Sequence, residues 1–321
     1  MSNPLVTIGI TAFNAEDTIA RALSSALAQT WQPFEVFVVD DASTDKTRSV
    51  IDAIAARYDT IRVVSNTANS GVASARNKIM DCAKGEFLVF FDDDDVSRPN
   101  RVERQLNRLI AYERNFAQGA PVVCHTAREQ IYPDGSRRIE QTQGTDEGRE
   151  APSGLQVARR ILMGTPARDG YGSSATCSQM ARVDVYRMLG GFDPAFRRSE
   201  DTEFCVRLAR AGGHFPGIGE PLVIQTMTRT VNKSLGGEKQ YVLAILEKHR
   251  DLIENEELYQ FSCEWTELKF RWIGRRRAAF VRLLVQLGLR HPLLTLQRVR
   301  FALPGVGSNR AFRALHLGHP E

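Results

Sequence analysis

The sequence has few cysteines, and none are spaced as metal ligands usually are. The five cysteines are odd in number and widely scattered, without a CxxC pair: Cys82, Cys124, Cys177, Cys205 and Cys263. A disulfide framework needs paired cysteines, and a zinc site needs closely spaced ones. The sequence therefore predicts neither, and it favours a reducing, cytoplasmic compartment.

Long apolar segments are also missing. No run reaches the about 18 uncharged apolar residues that a membrane-spanning helix needs, so none is predicted. The first apolar run has no Lys or Arg before it and is interrupted by Thr7, Thr11 and Asn14. We therefore interpret it as a first strand and not as a signal peptide. The 321 residues, 42% hydrophobic and 25% charged, suffice for one large α/β domain with an appendage or for two modest domains.

Basic residues are concentrated near the C-terminus. Between positions 269 and 313 eleven of them occur without an acidic residue: Lys269, Arg271, Arg275, Arg276, Arg277, Arg282, Arg290, Arg298, Arg300, Arg310 and Arg313. Such a segment indicates an anionic partner, either phospholipid or nucleic acid. We expect a peripheral association with the inner face of the cytoplasmic membrane, and no nucleic-acid partner.

Residues 278–290 support that expectation. Arg282, Gln286 and Arg290 form one polar stripe of a predicted helix, and most of the remaining positions are apolar. A helix of this kind suits insertion beside anionic headgroups. The alternative is that these helices pack on the protein itself or on a second copy in a homo-oligomer.

The first 120 residues alternate strand and helix patterns. Continuous apolar strands are predicted at 5–11, 36–40, 61–65 and 87–91, and amphipathic helices at 17–29, 45–58, 70–83 and 99–114. Ser70 is a predicted N-cap, and Pro99 suits the first turn of its helix. This alternation predicts an α/β fold with a mostly parallel, Rossmann-like sheet covered by helices on both faces.

The pattern changes after Pro121. A hairpin is predicted at 122–141 around Pro133-Asp134-Gly135, followed by a mobile loop at 142–150, a helix at 155–163 and a strand at 175–183. A further helix begins at Ser199-Glu200-Asp201, with Ser199 as its cap. We predict a catalytic domain at 1–228, with a nucleotide-sugar half (1–120) and an acceptor half (121–228), and a basic helical extension at 229–321.

Four consecutive carboxylates, Asp92 to Asp95, follow the fourth strand directly. Adjacent carboxylates repel one another, so a solvated acidic turn is one explanation and a cation site is another. In parallel sheets ligands bind at the carboxyl ends of the strands, which favours the cation site. Oxygen ligands suit Mg²⁺ or Mn²⁺ shared with substrate phosphates.

Other polar groups stand at comparable positions, and each has a structural explanation beside the functional one. Asp40-Asp41 ends the second strand and suits either a ribose or base contact or an Asx-turn. Glu200-Asp201 suits either a general base or a favourable charge at a helix start. Arg76 suits either a diphosphate contact or a surface ion pair.

In this order the motifs resemble the family 2 glycosyltransferases with the GT-A fold. The matching segments are VTIGITAFN (6–14), VVDDASTD (38–45), NSGVASARN (69–77), FFDDDD (90–95) with Pro99, GGFD (190–193) and SEDT (199–202). The resemblance implies an enzyme that moves a sugar from a nucleotide-diphosphate sugar, UDP-sugar favoured, to an acceptor hydroxyl with inversion. The acceptor would be a saccharide or lipid-linked saccharide in cell-surface polysaccharide or glycolipid synthesis. Without a QxxRW motif, single addition is favoured over polymerisation.

The resemblance also implies residue roles. Asp41 would contact the base, Asp93 would lie near the ribose, and the donor site as a whole would comprise Thr11, Ala12, Phe13, Asn14, Asp40, Asp41, Asn69, Arg76, Asp92 and Asp93. Asp94 would be the main ligand of Mn²⁺ or Mg²⁺, with Asp92 and Asp95 still candidates because the four-Asp run leaves the register open. Asp201 would be the catalytic base, with Glu200 beside it.

Two other functions remain open on sequence grounds. A sugar-phosphate nucleotidyltransferase would share the nucleotide-binding sheet, but it usually carries a Gly-rich, basic loop after its first strand, which Thr11 to Glu16 lacks. A non-catalytic relative that binds sugar or lipid is the other. Intact Asp94 and Asp201 argue against it.

Overall fold

A computed structural model describes residues 3–227 and 235–302. The chain divides into two compact units. The first unit comprises residues 1–131, 137–154 and 168–226, and the second comprises 132–136, 155–167 and 227–321. The second unit thus includes two short segments from the first half of the sequence. The predicted domain boundary at 228/229 stays a prediction.

In the described residues the strands are β1 (Val6–Ala12), β2 (Phe34–Asp40), β3 (Ile61–Ser65), β4 (Phe87–Asp92), β5 (Val96–Ser97), β6 (Val123–Ile131), β7 (Arg137–Glu140), β8 (Met180–Arg182) and β9 (Gly217–Thr226). The α-helices are α1 (Ile19–Leu27), α2 (Thr47–Ala55), α3 (Val72–Cys82), α4 (Arg101–Tyr112), α5 (Gly154–Met163), α6 (Val183–Met188), α7 (Glu200–Arg210), α8 (Leu235–Lys248), α9 (Glu256–Ile273), α10 (Arg277–Arg290) and α11 (Pro292–Ala302).

The strands form one sheet in the order β3-β2-β1-β4-β8-β6-β9-β5, with β7 paired to β6. The first four strands along the chain are parallel to one another. Beyond β4 the sheet is mixed, because β8 pairs antiparallel with both β4 and β6. The predicted α/β class is confirmed, as are the four initial strands and the 122–141 hairpin.

The core of the first unit forms where β1, β2 and β4 pack against α1 and α4. The central strands are apolar on both faces, as a sheet covered by helices requires. Val102, Leu106 and Leu109 lie at helical spacing on α4 and are fully buried. These contacts fix the strand ends at which the motifs lie.

Several local predictions were wrong. Ser70 does not cap α3, because its hydroxyl instead donates to Asp41. Ser199 makes no capping bond either, since its backbone lies in the left-handed region (φ 59°). Pro99 precedes α4 without entering it. The predicted strand at 175–183 is a 3₁₀ turn followed by the three-residue β8, and the strand β9 was not predicted.

The predicted mobile loop at 142–150 is partly packed. Thr142 and Gln143 are buried, and the Gly217 amide donates to the Gly144 carbonyl at 2.7 Å. At Gly144 a side chain would overlap the Phe215 carbonyl. The polar composition of residues 142–150 therefore did not show that the first residues of this segment are tightly packed.

The described part of the second unit is helical, as predicted for the C-terminal extension. Leu283 and Leu287 of α10 pack on Phe261 and Leu268 of α9, forming a small core. No helix among residues 3–227 and 235–302 is long and apolar enough to cross a membrane. Arg310 and Arg313 lie outside the described residues.

Candidate active site

Three strand ends carry the main motifs of the first unit side by side. In the parallel register Ala12 of β1 pairs with Asp40 of β2, and Thr11 pairs with Asp92 of β4. The loops after these strands therefore leave the sheet at the same edge. This edge is where ligands bind in open α/β sheets.

A cavity of about 430 Å³ opens at this edge. Nine of the predicted site residues line it: Thr11, Ala12, Phe13, Asp41, Asn69, Arg76, Asp92, Asp93 and Asp94. Five predicted residues are not in its wall: Asn14, Asp40, Asp95, Glu200 and Asp201. Its volume falls in the range typical of small-ligand sites, about 300–1,000 Å³.

Asp41 fixes the loop that leads into α3. Its carboxylate accepts hydrogen bonds from the Asn66 side chain (2.7 Å), the Ser70 amide (3.0 Å) and hydroxyl (2.8 Å), and the Gly71 amide (2.8 Å). Burial acts to raise the pKa of Asp41, but these bonds outweigh it and lower the pKa below its ordinary value. Asp41 is therefore an ionised anchor at the cavity wall.

Asp93 joins the β4 loop to the β1 loop. Its Oδ2 accepts a hydrogen bond from the Phe13 amide at 3.0 Å. Burial raises the pKa of Asp93 to about 7, the Phe13 amide opposes the rise, and the carboxylates of Asp94 and Asp92 add to it. This concentration of negative charge is what a cation or a row of donor groups would relieve.

Arg76 connects the Asp run to the start of α7. Its guanidinium donates to Asp92 at 3.0 Å and to Glu200 at 2.5 Å, and the side chain is buried. Burial acts to lower the pKa of Arg76, but Asp92, Glu200 and Asp201 raise it above its ordinary value. The predicted surface ion pair is thus a buried one, and the predicted diphosphate contact stays a prediction, since Arg76 also lines the cavity. It holds two motifs in fixed relation.

Asp201 lies one residue beyond that ion pair, at the first turn of α7. Its Oδ1 accepts from the Thr202 amide (2.6 Å) and hydroxyl (3.2 Å), while Oδ2 has no hydrogen-bond partner in the described part of the chain. Glu200 points to Arg76 instead. Asp201 therefore keeps an oxygen that can accept a proton and, unlike Glu200, is not hydrogen-bonded to Arg76.

The GGFD segment holds α7 against α3. Asn77 of α3 makes two hydrogen bonds of 2.7 Å with the backbone of Phe192, one in each direction. The Phe192 ring packs edge-on against Phe90 of β4 and beside Phe204 of α7. The motif therefore connects α3 and β4 to α7, the helix that carries Asp201.

Asp95 occupies a buried site of its own. Neither of its carboxylate oxygens accepts a hydrogen bond from a group within the described residues. One of these oxygens lies within 4.8 Å of a carboxylate oxygen of Asp92 and of the sulfur of Cys177. Burial raises the pKa of Asp95 well above its ordinary value. The carboxylates of this run fit a hard cation at the cavity wall, where Asp92 and Asp94 lie.

Asn14 and Asp40 stabilise loops beside the cavity. Asn14 accepts a hydrogen bond from the Thr44 amide at 2.8 Å, and its own backbone is left-handed (φ 50°). Asp40 accepts from the Ser43 amide and the Ser65 hydroxyl. For Asp40 the Asx-type interpretation describes the geometry better than a donor contact does.

Two cationic residues near the site were not predicted. Arg197 lines the cavity and donates to the Asn69 side chain at 3.5 Å, and Arg21 donates to the Asp94 carbonyl at 2.5 Å. Neither stands in a motif, and both come from segments distant in sequence. No pattern in the sequence predicted that either arginine lies near the site.

Comparison with known proteins places this geometry in a family. The family model Glycosyl transferase family 2 matches residues 7–163. The putative glycosyltransferase EpsE of Bacillus subtilis is 35% identical over 214 residues, which cover 66% of this chain and 69% of EpsE. The chain belongs to glycosyl transferase family 2. The predicted family is thus confirmed.

Other relatives are matched over a smaller share of their own length. The Escherichia coli protein WfgD, a UDP-Glc:alpha-D-GlcNAc-diphosphoundecaprenol beta-1,3-glucosyltransferase, is 36% identical over 120 residues, 37% of this chain and 46% of WfgD. The chain spans 52% of an uncharacterized glycosyltransferase from Haemophilus influenzae and 19% of the chondroitin synthase of Pasteurella multocida.

Solved family structures confirm the GT-A fold. S. aureus TarS 1–349 in complex with UDP aligns with a TM-score of 0.60 at 16% identity, covering 97% of this chain and 89% of that one. The mannosyltransferase PcManGT of Pyrobaculum calidifontis, in complex with GDP-Man and Mn²⁺, aligns at 0.56 and 18%, covering 98% and 84%. At these identities the likeness establishes the fold alone.

Proposed function

We propose that this family 2 member transfers a sugar from a nucleotide-diphosphate sugar, preferably a UDP-sugar, to an acceptor hydroxyl with inversion at the anomeric carbon. The observation that carries the proposal is the cavity at the strand ends, which collects Thr11, Asp41 and Asp94 from three motifs. UDP in TarS and UDP-Glc in the name of WfgD support the choice of uridine.

In this proposal Asp201 is the general base. A hydroxyl is a weak nucleophile at neutral pH, so removal of its proton during attack lowers the barrier. Oδ2 of Asp201, which accepts no hydrogen bond from the residues that the structure describes, can accept that proton, while Thr202 donates to Oδ1. Attack from the face opposite the nucleotide would invert the anomeric configuration.

Arg76 then acts as a positioning residue. Its paired hydrogen bonds fix Asp92 at the donor site and Glu200 next to the base. A buried ion pair of this kind is costly to break, about 3–5 kcal/mol when one partner is removed. Arg76 would therefore keep the end of β4 and the start of α7 in a fixed relation.

We propose that turnover requires Mn²⁺ or Mg²⁺, held by Asp94 together with Asp92, with Asp95 as the alternative in register. When bound, the cation would neutralise charge on the departing diphosphate. The Mn²⁺ of PcManGT supports this proposal. The thiol of Cys177, by contrast, is a soft ligand that suits neither cation well.

A thermal-shift screen of nucleotides tests the donor proposal. Nucleoside diphosphates and sugar nucleotides with Mn²⁺ should raise the Tm, with UDP and UDP-sugars giving the largest shift. Uridine is the matched control, because it lacks the phosphates that the proposed cation would contact. If no nucleoside diphosphate shifted the Tm beyond uridine, the proposed donor class would be wrong.

For the acceptor we propose a saccharide, free or lipid-linked, used in cell-surface polysaccharide or glycolipid synthesis. The diphosphoundecaprenol acceptor in the name of WfgD supports a lipid-linked one.

We further propose that the protein lies on the inner face of the cytoplasmic membrane through α10 and α11. One face of α10 packs on α9, but Val281, Val285 and Leu289 are exposed.

The exposed apolar row on these helices makes the membrane proposal testable. Leu289 and Leu293 are 80% and 75% exposed. Burying a leucine side chain is worth about 1.5–3 kcal/mol, so a Leu289→Gln/Leu293→Gln variant should bind anionic vesicles at least about tenfold more weakly in co-sedimentation at low salt.

A matched variant controls for loss of surface apolarity elsewhere. Leu155→Gln/Met188→Gln removes two exposed apolar side chains outside the row and should bind as the unmodified protein does. If the unmodified protein ignored anionic vesicles, or both double variants bound alike, the membrane proposal would fail. The exposed row would then need another partner, such as a second copy of the chain.

A further inference from the structure

The second unit contains a cavity of about 440 Å³ that no part of the proposed reaction uses. It lies between the C-terminal end of α5, the start of α9 and the helix α11, all within the second unit. Much of its wall is apolar, with Met163, Pro166, Leu258, Leu294 and Phe301 among the lining residues. Its size is that of a small-molecule site.

The described lining residues include two cations, Arg159 of α5 and Arg298 of α11. The guanidinium of Arg298 lies over the ring of Trp265, with Cζ 5.4 Å from the ring centroid. On another side it packs against the backbone of Gly164, where a methyl group would overlap Nη1. Gly164 also has φ +60°, so glycine is doubly suited to this position. The guanidinium is thus held in place by its surroundings.

Arg298 has no anionic partner in the described part of the chain. Its Nε is buried without a hydrogen-bond acceptor. The acidic residue of the cavity wall, Glu254, is paired with Arg159 at 3.1 Å. Burial lowers the pKa of Arg298 to about 10, with no carboxylate opposing the shift. The side chain is therefore still charged at neutral pH, and no carboxylate among residues 3–227 and 235–302 pairs with it.

Burying a charge in apolar surroundings costs free energy unless an opposite charge or hydrogen-bond partners compensate for the lost water. The planar guanidinium presents its donors as a fork that matches the oxygens of a phosphoryl group. Phe301 lines the cavity and is also 45% exposed, so the apolar wall continues onto the surface of α11. An apolar chain attached to the phosphoryl group could leave the cavity along that surface.

We propose that this cavity binds a phosphoryl group carried on an apolar chain, with Arg298 as the residue that recognises the phosphate. The site is separate from the cavity at the strand ends, and binding to it does not require sugar transfer. It also differs from general attraction to a membrane surface, because it depends on one cation and not on the summed basic charge.

Titration with short-chain lipids tests the site on the full chain. Dihexanoyl phosphatidic acid should bind with a measurable Kd by calorimetry and raise the Tm, whereas the matched dihexanoyl phosphatidylcholine, whose phosphate is shielded by choline, should bind at least tenfold more weakly. Inorganic phosphate is a third ligand, and it separates free phosphate from lipid phosphate.

Two variants of equal charge separate the site from non-specific attraction. Arg298→Gln should weaken phosphatidic acid binding at least about tenfold, while Arg300→Gln, which changes an exposed arginine two residues away on the same helix, should leave it within about twofold. Arg298→Lys keeps the charge but not the fork, and should weaken binding even if the Gln variant misfolds.

Three results would overturn the proposal. Equal losses in Arg298→Gln and Arg300→Gln would indicate general charge attraction. Unchanged binding in folded Arg298→Gln or Arg298→Lys would remove the arginine from the site. Equal affinity for inorganic phosphate and phosphatidic acid would show that the apolar wall plays no part. Each of these outcomes leaves the proposed transferase activity unaffected.

Discussion

Replacing Asp201 with Asn should slow sugar transfer by about 10²–10⁴-fold and leave donor binding almost unchanged. Asn is nearly isosteric, and its carbonyl oxygen can keep the hydrogen bond from the Thr202 amide. It cannot take up a proton from the acceptor hydroxyl. The loss should therefore appear in kcat, measured with saturating donor and acceptor, and not in the Kd for the nucleotide.

The matched control is Asp184→Asn. Asp184 also stands in the first turn of a helix, α6, and is highly exposed. Both changes remove a favourable charge at a helix start, worth about 0.3–1 kcal/mol of stability. Only the Asp201 variant should lose activity. Near-normal turnover in Asp201→Asn would assign the base to another residue.

Replacing Asp94 with Ala should abolish turnover and weaken the binding of nucleoside diphosphates in the presence of Mn²⁺. Asp94 lines the cavity at the strand ends beside Asp92 and Asp93. Its carboxylate is the proposed main ligand of a cation that also contacts the diphosphate. Turnover by the unmodified protein should fall correspondingly on treatment with EDTA and return when Mn²⁺ or Mg²⁺ is added.

A comparison with Asp95→Asn decides the register of the ligands. Asp95 is buried without hydrogen-bond partners in the described residues, and burial raises its pKa in favour of the neutral acid. The neutral amide should therefore be tolerated and should leave metal dependence intact if Asp94 is the ligand. Loss of metal dependence in Asp95→Asn, with activity retained in Asp94→Ala, would move the site by one residue. Full activity in excess EDTA would contradict the metal proposal itself.

The fold could be predicted from the sequence because its strongest signals are local. Apolar strands and amphipathic helices alternate over the first 120 residues, and each pattern depends only on near neighbours along the chain. Strand β9 was missed because Pro221 and the polar Glu220 interrupt its apolar pattern. It is stabilised by pairing with β6, which is distant in sequence. Tertiary pairing decides such a strand, and local propensity does not.

The sequence predicted which residues form the candidate site better than it predicted their contacts. The resemblance to the family motifs implied a set of site residues, nine of which the structure brings to one cavity. It did not show that Arg76 is buried between Asp92 and Glu200, because that ion pair joins residues far apart in the chain. Likewise, the sequence did not show which face of α10 is exposed and which is packed, because that depends on the contact with α9.

Product analysis tests sugar transfer most directly. The protein is incubated with UDP-sugars, Mn²⁺ and a panel of saccharide and lipid-linked acceptors, and products are followed by mass spectrometry and NMR. We predict acceptor-dependent release of UDP, one sugar added per acceptor with inverted anomeric configuration, and loss of both in Asp201→Asn. A product that retains the donor configuration, or pyrophosphate formed from a sugar phosphate and a nucleoside triphosphate, would contradict the account.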